Sequence, residues 1–499
     1  MLNKKTLGLL AIIFLLAFSL KLYFSLSNKN FSSDEAYFSL RHSQYIKENL
    51  LPMTYDGLSY SGREISYPPL FHYLLAFISF LMPLELAAKI LPAFLTSLTS
   101  IIVFLLSYEL TKDSNSSLIA ALLSVFIPIF FTRTLNSASP LSLAIPLFLL
   151  ALYCLIKLRE ERTYLTYFIF IAVLFPLAHS SSFLLLLTMI IYSMTLLSEG
   201  FVVRRTLKEA IIFSSLAILF IQFLIFKDAF LSYGLSIAWQ NAPQDVLASY
   251  FNDINLAQSI YNVGILSTIF GFLAILLIIF TSRKDSHMLL VSSVLAVLIL
   301  VFSRLMLPID GLVFLSIILA VLSSISLSRL SSYLNLSKLA GKKKYFSYSI
   351  LVLAIFLSFL PSILASRQVM REVPADADIE ALAWIRDNLE GDFIMAALPE
   401  EGNFIAYLTG KKNLADTYFV LAPDAEKRIN DLSRLYQTTS EFEALDITQR
   451  NNIEFIFLSE KAKKKYNIND LVYYGSSIKK CFDRRKYEDF GKIYQVRKC

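Results

Sequence analysis

The chain has 499 residues, 56% of them apolar and 17% charged, with a formal net charge of +7. That is too apolar for a soluble globule of this size. The surplus positive charge lies in the apolar part, so it reads as loop charge that orients spans and not as a nucleic-acid footprint.

From Arg367 onward the chain carries 21 Lys/Arg and 22 Asp/Glu, against 25 and 17 before it. This division predicts a polytopic helical membrane domain over 1–366 and a soluble α/β domain over 367–499. The first apolar run, Leu7 to Leu26, follows Lys4 and Lys5 and lacks a small-x-small cleavage site, so it reads as a retained signal-anchor helix. Further spans are expected at roughly 88–110, 117–132, 140–157, 163–178, 182–198, 210–227, 260–281, 288–303, 309–327 and 346–365.

The stretch 68–82, "PPLFHYLLAFISFLM", is short and opens on two prolines. If it does not span, the basic clusters "KLREERT", "VVRRTLK", "TSRKDSH" and "AGKKKYF" share one side with Lys4 and Lys5. The positive-inside rule therefore favours eleven spans, with 68–82 a juxtamembrane or re-entrant helix and the N-terminus cytoplasmic. The loops 27–87 and 228–259 and the C-terminal domain then face outside a cell membrane. Cys481 and Cys499 share that domain and can pair there, while Cys154 lies in a span.

In the soluble part, "DADIEALAWIRDNL" has helical spacing, and "FIMAAL" and "IEFIFL" suit buried strands. No Walker loop, dinucleotide fingerprint or His-Glu-x-x-His motif occurs.

The loop 27–87 carries the chemistry. Asp34 and Glu35 open a helical stretch just beyond the first span, where acids also serve as cap and dipole complement. A carboxylate at the membrane surface suits deprotonation of an acceptor or a hard metal ion. Arg41, His42, Asp56, Arg63, Glu64 and His72 enrich the same loop. Arg304 ends an apolar run near the outer surface, as a snorkelling anchor or as a fork for a phosphate. Arg133 and Asn136 form a second short outer loop, and His179 marks a hairpin tip.

The pattern "SSDEAYFSLRHSQYI…SYPPLFHYLLAF", with Tyr67 opening its Tyr-Pro-Pro-Leu element, resembles the GT-C class of membrane glycosyltransferases. Protein-mannosyltransferases and aminoarabinose transferases share the Asp-Glu and Pro-Pro elements. Tyr37, Phe38 and Arg41 are similar to the Tyr-Tyr-His-x-Arg stretch of the oligosaccharyltransferase catalytic subunit, and "FFTRTLNSASP" to the loop of its second acidic motif. Two departures stand out. Ser137 to Ser139 lie where an acid is expected, and "LPEEG", 398 to 402, replaces the Trp-Trp-Asp-Tyr-Gly signature.

The resemblance implies transfer of a sugar or glycan from a polyprenyl-phosphate-linked donor to an extracytoplasmic protein, lipid or polysaccharide. It implies Asp34 as base or metal-linked activator with Glu35 in support, and Arg304 on the carrier phosphate. Arg41, Glu64, Tyr67 and His72 follow as substrate contacts, and Mg²⁺ or Mn²⁺ is left open as a cofactor at Asp34. The rival is a non-catalytic scaffold or a lipid-linked glycan transporter. A transporter calls for ionisable groups inside the spans, whereas Glu109, Glu209 and Asp310 lie near span ends.

Overall fold

The computed structural model describes residues 3–239, 242–252, 255–281, 284–336, 343–475, 481–484 and 492–497. Cys481 is disulfide-bonded; Cys499 lies outside the described residues.

The first apolar run is helix α1 (Lys4–Leu26). The polar loop then folds as α2 (Asp34–Asn49), a hairpin of β1 (Tyr55–Asp56) and β2 (Arg63–Glu64), and α3 (Leu70–Ile78). At nine residues α3 is too short to cross a bilayer. The next helices are α4 (Leu84–Thr111), α5 (Ser114–Val125), α6 (Pro128–Arg133), α7 (Leu141–Lys157), α8 (Tyr164–Ala178), α9 (Ser182–Ser198) and α10 (Arg205–Ile225). The segment beyond α10 carries α11 (Lys227–Tyr233) and α12 (Gln244–Asn252). The last membrane-type helices are α13 (Leu256–Val263), α14 (Ile265–Phe280), α15 (Asp285–Phe302), α16 (Pro308–Leu336), α17 (Lys343–Ala354) and α18 (Leu360–Arg371).

Among the described residues, six helices are long and apolar enough to cross a membrane, or up to seven if a bent pair counts as one span. Four shorter apolar helices accompany them. Two expected spans are broken. The run 117–132 divides because Pro128, lacking an N–H, starts α6 afresh at its first turn. The run 260–281 bends by 93° between α13 and α14, where Gly264 takes φ +92.

α1 holds an ionisable group, Lys21, inside its apolar run. Lys21 is buried and donates to Thr96 Oγ1 (2.8 Å) and Thr134 Oγ1 (2.7 Å). Its ammonium lies 4.5 Å from the Phe130 ring centroid and 5.1 Å from that of Phe131, so hydroxyls and ring faces replace its water.

Beyond α19 (Asp376–Asn388), β3 (Ile394–Ala396), α20 (Gly402–Thr409), β4 (Lys412–Asn413), α21 (Ala425–Gln437) and α22 (Glu441–Arg450) lead to β5 (Ile453–Leu458). α23 (Glu460–Tyr466), α24 (Val472–Gly475), β6 (Phe482–Arg484) and β7 (Lys492–Val496) complete the fold. The sheet order is β4-β3-β5-β7-β6, with β3 parallel to β4 and β5 and the other pairs antiparallel. β3 and β5 are the two apolar runs the sequence marks as strands, and β5 is buried at five of its six positions.

The β1–β2 hairpin docks on this C-terminal part. The Arg63 guanidinium pairs with Asp416 (3.2 Å) and donates to Val420 O (2.9 Å), with both ionic side chains buried. Ser59 Oγ donates to Asp416 Oδ2 (2.5 Å), Tyr60 N to Asn413 Oδ1 (2.9 Å), and Arg428 to Tyr60 O (2.7 Å).

Gly402 is required where α20 passes this interface. A Cβ there would lie 2.4 Å from Ala415 O and 2.6 Å from Asp416 Cβ. Gly402→Ala should therefore destabilise the protein by about 1–3 kcal/mol through overpacking, measured as a lower denaturation midpoint in detergent.

Candidate functional site

α2 begins against two different surroundings because neighbouring helical residues project about 100° apart. Asp34 turns toward the C-terminal part and Glu35 toward the membrane helices.

Asp34 is buried, and both of its oxygens are taken. Oδ2 accepts from Asn403 Nδ2 (2.8 Å) and Thr417 Oγ1 (3.3 Å), and Oδ1 from the Phe404 N–H (3.0 Å). Asn403 also accepts from Arg41 (3.1 Å), and Arg41 pairs with buried Asp56. Asn403 thus fastens α2 to α20 at two points.

Burial lifts Asp34 to about 7 despite these donors, with nearby Asp416 adding to the rise. Burial likewise lifts Glu401 to about 8 and Asp378 to about 6. An acid raised in the folded state binds more protons than its unfolded counterpart between the two pKa values. Its stabilising contribution is complete below the unfolded value near 4 and is lost as pH rises through the folded one. The melting temperature should therefore fall between pH 6 and 8.5, and Asp34→Asn should flatten that slope in a thermal-shift series.

Glu35 is half-buried on α2, near Arg133 of α6, which in turn approaches Asp310 of α16. Oε1 accepts from Ser139 Oγ (2.7 Å). Oε2 is buried without a hydrogen bond and faces the Arg133 guanidinium at 3.7 Å. Arg133 in turn approaches Asp310 at 3.4 Å, so one guanidinium lies between two carboxylates. Burial raises the Glu35 carboxyl, while Arg133 and Ser139 pull it back.

The other expected residues divide. Tyr67 and His72 pack on each other (centroids 4.9 Å apart) inside an aromatic cluster with Phe38 and His42. Burial pushes His72 down to about 3, so it is neutral there. Glu64 is exposed on β2. Arg304 sits in a turn at φ +59, with its guanidinium 5.4 Å from the Phe251 ring, one residue from Tyr250 on α12. The structure brings together Glu35, Arg133, Asp310 and Ser139, and sets Asn403 on Asp34 and Arg41. Asp310 had a local signal in its proximity to Arg304; Asn403 had none, because its partner is 369 residues away.

A divalent cation does not fit these residues. Asp34 has no oxygen free, and Glu35 offers one beside a guanidinium that would repel a dication. Among the described residues no group of three or more His, Cys, Asp or Glu side chains is placed to hold a metal, whereas Mg²⁺ and Mn²⁺ call for several hard oxygen ligands.

No family model matches the chain. It is 29% identical over 163 residues to dolichyl-phosphooligosaccharide-protein glycotransferase 1 of Archaeoglobus fulgidus. That match spans 31% of this chain and only 28% of the relative. Archaeal oligosaccharyltransferase AglB from the same organism, solved with an inhibitory peptide and a dolichol-phosphate, superposes with TM-score 0.70 at 15% identity. The superposition covers 91% of this chain and 69% of that one; an oligosaccharyltransferase from this organism has also been solved with Zn and sulfate. ArnT from Cupriavidus metallidurans, bound to undecaprenyl phosphate, gives 0.56 at 11% identity over 97% of both chains. These likenesses carry the fold alone.

Proposed function

We propose that the protein is a membrane glycosyltransferase that moves a sugar or glycan from a polyprenyl-phosphate-linked donor to an extracytoplasmic acceptor. The observation that carries this reading is the Glu35 carboxylate, with one oxygen free of hydrogen bonds beside the Arg133 guanidinium, in a GT-C fold. Structures sharing that fold contain dolichol-phosphate and undecaprenyl phosphate.

In this reading the roles expected for the two acids are exchanged. Glu35 takes the acceptor's proton as its heteroatom attacks the anomeric carbon; a carboxyl raised by burial is the stronger base for that task. The bond from the anomeric carbon to the phosphate oxygen breaks, and the polyprenyl phosphate departs with its charge countered by Arg304. Asp34 holds α2 and α20 together. "LPEEG" in place of the Trp-Trp-Asp-Tyr-Gly signature leaves sequon recognition out of the proposal.

Eleven crossings of the cell membrane, with a cytoplasmic N-terminus and an extracytoplasmic domain over 367–499, complete the reading. Supporting them are the basic loop clusters, the short α3 and the disulfide at Cys481, which suits an oxidising compartment.

The test is to supply purified protein with a labelled polyprenyl-phosphate-linked sugar and membrane extract as acceptor source. Release of the free polyprenyl phosphate with label on an acceptor is expected. No release across the available donors, from protein that remains folded, would overturn the proposal.

A further inference from the structure

Resting on the reading above, we propose that sugar transfer at this site runs without a divalent cation, because Arg133 is the fixed positive charge of the site. Its guanidinium stands between Glu35 (3.7 Å) and Asp310 (3.4 Å), where a dication shared by two acids would otherwise sit. The second oxygen of Glu35 is occupied by the Ser139 hydroxyl, a donor and not a metal ligand in this role.

The arginine is also held from behind. Lys21, buried in α1, donates to Thr134 Oγ1 next in the chain and to Thr96 on α4, which pins the end of α6. A cation placed in advance needs no reorganisation when charge develops. Arg133 is a positioning residue: it keeps Glu35 ionised and aimed at the acceptor, with Asp310 holding it from the far side.

The groups that face Glu35 are Arg133 from α6, Asp310 from α16 and Ser139 before α7. Removing Arg133 takes away the cation that favours the carboxylate, so the acid limb of the kcat/KM profile should move to higher pH.

The experiment uses the full-length protein in detergent, stripped with EDTA and assayed for polyprenyl-phosphate release with and without added Mn²⁺ or Mg²⁺. Rates should agree within about twofold, and Mn²⁺ titrated calorimetrically should show no saturable binding. A loss of tenfold or more on stripping, restored by metal, would overturn the inference while leaving the transferase reading intact. Inactivity under every metal condition would instead sink the transferase reading, and the inference with it.

For the positioning role, the acid limb of Arg133→Gln should lie about one pH unit or more above wild type, with Arg133→Lys between them. An Arg133→Gln limb that coincides with wild type would assign Arg133 to packing alone and overturn the proposal. If Arg133→Gln does not fold, the metal dependence of the wild type still decides.

Discussion

Glu35→Gln should lower sugar transfer by at least about 10²-fold while leaving the protein folded. The substitution keeps the shape and the acceptor for the Ser139 hydroxyl but removes the basic oxygen that faces Arg133. General-base catalysis contributes about 10²–10⁴-fold, so a loss of this size marks the proton acceptor. Asp34→Asn supplies the contrast. There a carboxylate oxygen gives way to an amide N–H that confronts donors from Asn403, Thr417 or Phe404. The cost is about 1–3 kcal/mol of stability, with turnover per folded molecule within about tenfold of wild type. Initial rates at saturating donor, normalised to folded protein, separate the two. A folded but inactive Asp34→Asn with an active Glu35→Gln would restore Asp34 as the base.

Asp416→Asn should be among the most destabilising single changes in the chain. Arg63 and Asp416 are both buried, and the carboxylate also accepts from Ser59 Oγ and the Tyr418 N–H. Removing its charge leaves a guanidinium desolvated without a counter-ion, at a cost of about 3–5 kcal/mol. Chemical denaturation in detergent should report that loss. Limited proteolysis should show the β1–β2 hairpin cut first. The double variant Arg63→Met with Asp416→Leu should recover part of the stability, because it buries no unpaired charge. A single variant as stable as wild type would mean that water reaches the pair.

Much of the architecture was legible because it rests on local pattern. Apolar run length marked the membrane helices, and the Pro-Pro start and short length of 68–82 set α3 apart. β3 and β5 lie on the two apolar runs chosen as strands. Helix breaks were harder to read: Pro128 gave a visible signal inside an apolar run, whereas Gly264 is a break only because its backbone turns left-handed.

The site was legible as a region and not as an arrangement. Adjacent acids on a helix point different ways, and which meets Arg133 depends on what packs alongside. For Asp34 that partner comes from residues 403, 404 and 417, which no local pattern links to it. Lys21 was a single charge in an apolar run, and only the threonines and rings of other helices explain why it stays there.

The hairpin's grip on the C-terminal part also sets a schedule. Its partners lie more than 350 positions downstream, and those of Asp34 at least 369. At 5–20 residues per second, a ribosome needs on the order of 20–70 s to make the intervening chain. Through that interval Arg63 and Asp34 lack these partners, and α2 lacks its fastening to α20. Asp34 gains its donors only after α20 and the residues up to Thr417 have been made. A partly made chain therefore holds its N-terminal loop without the buried ion pair and carboxylate contacts that later fasten it.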